Sequence, residues 1–150
     1  AGAMGDDDDD VASRTDLYTD VVQAAEFVHS TRVDALAAAF GTAHGVYLNE
    51  PSLDLNRICQ LRESTGVPIV MHGGSGLTER QFRSSVDAGV RKINYYSGMA
   101  LNAVARLRSE LCGENGERRV FLHDLVAPIV DEVASEVART STWFGAAGNA

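Results

Sequence analysis

Apolar residues recur along this chain in two alternating rhythms, one helical and one short and continuous. After Thr19, a candidate N-cap, "DVVQAAEFVHS" repeats Val22, Ala25, Phe27 and Val28 at the spacing of an amphipathic helix. "DALAAAF" (residues 34–40) is a near-continuous apolar run ending at Gly41, too short for an ordinary helix, and predicts a strand buried on both faces. Leu55, Ile58, Cys59 and Leu61 mark a second helix stopped by Gly66, and "VPIVMH" then predicts a second strand. Thr78 is placed to cap a third helix with Glu79 in its first turn, Phe82 and Val86 facing inward and Gly89 at its end. "VRKINYY" predicts a third strand. Leu101, Val104, Leu107 and Leu111 form the stripe of a further helix, and after "GENGE", a turn by composition, residues 119 to 139 read as helical with Pro128 as a kink or new start.

Apolar strands alternating with amphipathic helices imply a parallel sheet in an α/β fold, and ligands in that class collect where the strands end. The three strand ends are "FGTAHG", "MHGGSG" and "INYYSG". Each joins polar groups to glycine. A lone histidine at such a position is ordinarily a hydrogen-bonded structural residue. His44 and His72, however, stand at equivalent ends of strands that would lie about 4.8 Å apart, so their imidazoles could converge on one metal ion. Gly73 and Gly74 let successive backbone N–H groups turn toward an anion, and the Ser75 hydroxyl adds a donor; the same three residues also make an ordinary turn. Asn94 and Ser97 supply an amide and a hydroxyl at the next strand end, or a turn asparagine and a capping serine.

The whole-chain numbers narrow the function classes. The 150 residues are 45% hydrophobic, enough for one globular core. A formal net charge of −8 argues against a general nucleic-acid or anionic-membrane binder, since both need a positive patch. Part of that acidity is the run "GDDDDD" (residues 5–10), expected as a solvated loop or tail, or as the remnant of an expression tag. No apolar stretch reaches the roughly 20 residues that span a bilayer, and the expectation is a soluble, cytoplasmic protein. Cys59 and Cys112 are in no metal-ligand spacing and are expected as small buried hydrophobes. His29 and His123 are expected to be solvent-facing or structural, and Trp143 and Phe144 to pack the last helix. Asp34 and Asp54 fit the start of a strand and of a helix rather than a catalytic role.

"GTAHGVY", "HGGSG" and "KINYYS", in this order and spacing, resemble the metal-dependent class II fructose-bisphosphate and tagatose-bisphosphate aldolases. "LYTD" (residues 17–20), "VDALAAAFGT" and the final "FGAAGNA" extend the resemblance over nearly the whole chain. It implies a (β/α)8 TIM barrel that needs about 250 residues, of which residues 1–150 would supply the C-terminal portion, about three strands with their helices. Residues 1–16 would be an acidic loop or tail and 17–150 the barrel elements.

The resemblance further implies that His44 and His72 ligate zinc, with another divalent metal or an added monovalent cation as alternatives. Gly45, Gly73, Gly74, Ser75, Asn94, Tyr95, Tyr96 and Ser97 would line the dihydroxyacetone phosphate site, with Asn94 as the catalytic residue. The activity implied is reversible aldol cleavage of a ketose bisphosphate in carbohydrate metabolism, glycolysis included, by an enzyme that is homo-oligomeric when complete. Two departures stand out. Tyr96 and Ser97 replace a small or acidic residue and a threonine, and the family's catalytic aspartate, further histidine ligand and metal-associated glutamate have no counterpart. The isolated chain is therefore expected to be inactive. The alternative is a noncatalytic sugar-phosphate-binding or assembly module derived from the same fold.

Overall fold

A computed structural model of the chain describes residues 17–42, 51–111 and 121–148. Its elements follow the predicted order: α1 (Val21–Thr31), β1 (Leu36–Ala37), α2 (Leu55–Thr65), β2 (Ile69–Met71), α3 (Glu79–Ala88), β3 (Val90–Ile93), α4 (Ser97–Leu111) and α5 (Leu122–Trp143). The chain divides into two compact units, Ala1–Tyr95 and Tyr96–Ala150.

The first unit is a parallel sheet in the order β1-β2-β3 with its helices, and it is an arc of a (β/α)8 barrel. β2 is central and buried along its length, because Ile69, Val70 and Met71 have a strand on either side. Its core also takes in Phe40, Ile58, Leu61, Phe82 and Val90, all fully buried. These residues are the apolar positions of three consecutive strand–helix repeats, so the sequence rhythm and the core coincide.

Several boundaries differ from the sequence expectation. The helix cap of α1 is Asp20, whose Oδ1 accepts from the Gln23 N–H at 2.9 Å. Thr19 is drawn instead into the sheet: its Oγ1 accepts the Ala39 N–H and its own N–H donates to the Ala39 carbonyl, both at 2.8 Å. In α1 the buried residues are Ala24 and Val28, whereas Val22 and Phe27 are exposed. β1 is two residues rather than seven and buries Leu36 but not Ala37, so one face is covered, not both. β3 stops at Ile93, leaving Tyr95 and Tyr96 beyond the strand. In α3, Ser85 and Ala88 are buried beside Phe82 while Val86 is half-buried. Cys59 is a free, half-buried thiol rather than a buried one, and Cys112 lies outside the described residues.

The second unit is a pair of packed helices, α4 and α5. Pro128 neither breaks nor restarts α5, which runs continuously from Leu122 to Trp143. The stripe predicted for α4 is not its buried face: Leu101, Val104 and Leu111 are exposed, and Ala103 is buried. Glu136 is 4% exposed and is charge-compensated by Arg139, while Asn102 Nδ2 donates to its Oε1 at 2.6 Å. A buried carboxylate needs such partners, because desolvation otherwise costs several kcal/mol. Arg139 in turn lies 4.7 Å above the ring of half-buried Trp143, a cation–π contact.

Candidate active site

β2 and β3 run in parallel with Met71 opposite Ile93, so the first residue beyond each strand falls at the same level. Those residues are His72 and Asn94. The Asn94 N–H donates to the Met71 carbonyl at 2.9 Å, which continues the ladder one step past the strands and fixes the two side chains as neighbours. Asn94 Nδ2 stands 3.1 Å from His72 Nε2 and 3.3 Å from Nδ1. Near-equal distances mean that this contact holds the ring without selecting its tautomer. Both residues are half-buried.

The glycine-rich turn follows directly. Leu77 N–H donates to the Gly74 carbonyl at 3.2 Å, closing a four-residue turn in which Gly76 has φ 99°. That left-handed position requires glycine at little cost, as does Gly73 at φ 71°. Gly74 is needed for another reason. A Cβ there would sit 3.0 Å from Phe82 Cε1 and 3.3 Å from Cζ, so the turn rests on the buried Phe82 ring. Ser75 is buried at 6% exposure. Tyr95 packs edge-on against Phe82, with ring centroids 6.3 Å apart, which ties it to the core beneath the turn. Tyr96, at 75% exposure, and Ser97, the first residue of α4, open the second unit.

His44 and Gly45 lie outside the described residues, as does the acidic run. The flanks of that interval are described, and they meet. Gly41 has φ 110°, and a Cβ on it would fall 2.2 Å from the Ser52 carbonyl oxygen. Asp54 N–H donates to the Phe40 carbonyl at 2.9 Å. Asp54 also caps α2 through the Arg57 N–H, as its sequence position suggested, and pairs with Arg57 Nε at 3.1 Å. Arg57 Nη1 donates to the Thr19 carbonyl at 2.9 Å, and its guanidinium lies 5.6 Å over the Tyr18 ring. The Tyr18 hydroxyl donates to the Ser52 carbonyl at 3.3 Å. Burial raises the Tyr18 pKa, the Asp54 carboxylate adds to the rise, and Arg57 partly offsets it. This cluster escaped the sequence pattern, which marks Asp54 as a cap but not the long-range partners of Arg57.

Among the described residues, no three His, Cys, Asp or Glu side chains form a group able to hold a metal ion. His72 is a donor of the right chemistry for zinc, a half-buried imidazole, but it is one member of a set whose other proposed member is His44. His29 and His123 are exposed, as expected.

A model of the family described as fructose-bisphosphate aldolase class II matches residues 1–149. Among solved structures, the chain resembles the YdjI aldolase of Escherichia coli K12, with 34% identity and a TM-score of 0.77, over 89% of this chain and 48% of that one. A putative fructose-1,6-bisphosphate aldolase of Coccidioides immitis shares the fold, with a TM-score of 0.76 and 24% identity over 88% of this chain and 45% of its own. The fructose-bisphosphate aldolase of Campylobacter jejuni does so at TM-score 0.72 and 16% identity, over 91% and 48%. The chain thus spans about half the length of the structures it matches. With the family model covering all but its last residue, this chain belongs to the class II fructose-bisphosphate aldolase family.

Proposed function

We propose that this chain carries part of the active site of a metal-dependent ketose-bisphosphate aldolase, which reversibly cleaves its substrate to dihydroxyacetone phosphate and an aldehyde. The observation that carries this proposal is the placement of His72 and Asn94 side by side at two strand ends, with His72 leading straight into the "GGSG" turn. His72, together with His44, would hold the zinc ion. Once bound, such a metal is a Lewis acid that stabilises negative charge developing on the substrate's ketone oxygen. Asn94 orients the His72 ring and offers its amide N–H to a substrate oxygen. Gly45, Gly73, Gly74 and Ser75 would take the phosphate, with Tyr95 beside them. The proton-abstracting base is assigned to none of these residues.

Metal and phosphate functions separate within one turn. In the enzyme where this chain completes a closed barrel, His72→Ala should abolish both zinc content and fructose-bisphosphate cleavage. Ser75→Ala should retain the zinc but weaken dihydroxyacetone phosphate by about 1 to 3 kcal/mol, the range for a hydrogen bond to a charged group. Metal analysis and substrate titration on the same samples provide the test. Full zinc occupancy and normal turnover in His72→Ala would remove the proposal's central residue; zinc binding with no turnover in the unaltered enzyme would favour a noncatalytic phosphate-binding module.

A further inference from the structure

The sheet carries a cation on the face that bears His72 and Asn94. Side chains alternate along β3, and two contacts fix which way they point. Ile93 faces α3: a Cβ on Gly74 would stand 3.6 Å from its Cγ2 and 3.0 Å from Phe82 Cε1, so Ile93 shares the helix side of the sheet with the buried Phe82 ring. Asn94 faces the opposite side, where it meets His72. Lys92, two residues before Asn94 on β3, lies on that side with it. The register agrees. Lys92 is opposite Val70 and Val70 opposite Ala37, so these three form the layer directly beneath His72 and Asn94.

In a (β/α)8 barrel that face is the interior, whose layers are filled mainly by branched apolar side chains. Val70 fits the pattern at 6% exposure. Lys92 does not: it is exposed, and its ammonium has no ionic or hydrogen-bonding partner among the described residues. A rise of about 3.3 Å per residue sets its Cα roughly 6.6 Å below that of Asn94. The four-carbon stem of lysine spans most of that gap, which brings the ammonium up to the His72–Asn94 pair. A closed barrel takes this charge out of water, and a cation so enclosed needs an anion. The "GGSG" turn has the converse need, since its backbone N–H groups and the Ser75 hydroxyl are neutral donors offered to a charged phosphate ester. We propose that Lys92 is a substrate-binding residue, its ammonium donating to an anionic oxygen of a sugar phosphate bound over His72 and Asn94. This inference rests on the reading of those two residues as the aldolase site.

Lys92→Met removes the charge and keeps most of the stem, whereas Lys92→Arg keeps the charge. In the enzyme where this chain completes a closed barrel, dihydroxyacetone phosphate affinity is measured by calorimetric titration, with zinc content and melting temperature taken on the same samples. Lys92→Met should retain zinc and bind dihydroxyacetone phosphate roughly ten- to hundredfold more weakly, the worth of a hydrogen bond between charged groups. Lys92→Arg should recover most of that loss, and Lys92→Gln serves the same comparison should the methionine variant not fold. Unchanged affinity in the neutral variant would overturn the inference alone, and a lowered melting temperature beside it would assign the lysine to a structural ion pair instead. Full zinc content and normal turnover in His72→Ala would overturn the site, and this inference with it.

Discussion

Tyr18 shows how one side chain can report on a site it does not enter. Its phenol is partly buried, donates to the Ser52 carbonyl and lies under Arg57, and burial together with Asp54 raises its pKa above the ordinary 10.0. The folded chain therefore keeps this proton to higher pH than the unfolded chain, which binds fewer protons in the window above 10.0. Stability from Tyr18 is present below that window and lost as pH rises through it. Melting temperatures of the unaltered protein and Tyr18→Phe should accordingly converge as pH is raised from about 8 to about 11; parallel curves would show that the phenol titrates normally. At this scale His72 and Asn94 were legible, because strand ends can be read from apolar runs. Thr19 and Asp20 were not told apart, since both are good caps and the choice is made by Ala39, twenty residues away.

Helix and strand order was legible throughout the described elements, because each apolar run is bracketed by a cap residue or a glycine. Lengths were less so. An alanine-rich run has little side-chain volume to distinguish a strand from its continuation, and β1 shrank to Leu36–Ala37. The stripe on α4 misled because periodicity shows which residues share a face but not whether that face is covered. The turn after β2 allows a sharp test. Gly74→Ala needs no forbidden backbone angle, yet its methyl would press on the Phe82 ring, which is fully buried. Overpacking of that kind costs about 1 to 3 kcal/mol. Denaturant unfolding should show that loss, and Phe82→Leu in the same chain should recover part of it; additive losses would mean the ring is not the obstacle.

Across the whole molecule, a good deal of apolar surface remains in water. Leu122, Val126 and Val130 recur at four-residue spacing along α5 with exposures of 78, 49 and 58%, and they line a surface groove of about 670 Å³. On α4, Leu101, Val104 and Leu111 are about half exposed. Contiguous surface of this kind favours association. Light scattering on the 16.0 kDa chain should give an average mass that rises with concentration, and a constant monomer mass would show that these faces are protected.

The neck at Gly41 and Ser52 has a consequence for how such a chain tolerates change. The backbone on the two sides of residues 43–50 meets at one point, closed by Gly41 against the Ser52 carbonyl, by the Tyr18 hydroxyl and by the bond from Asp54 to Phe40. Closure entropy grows only by about 0.6 kcal/mol for each doubling of the chain length between two fixed ends. Insertions or exchanges between the two flanks would leave the sheet register untouched, whereas any side chain added at Gly41 would force that point open.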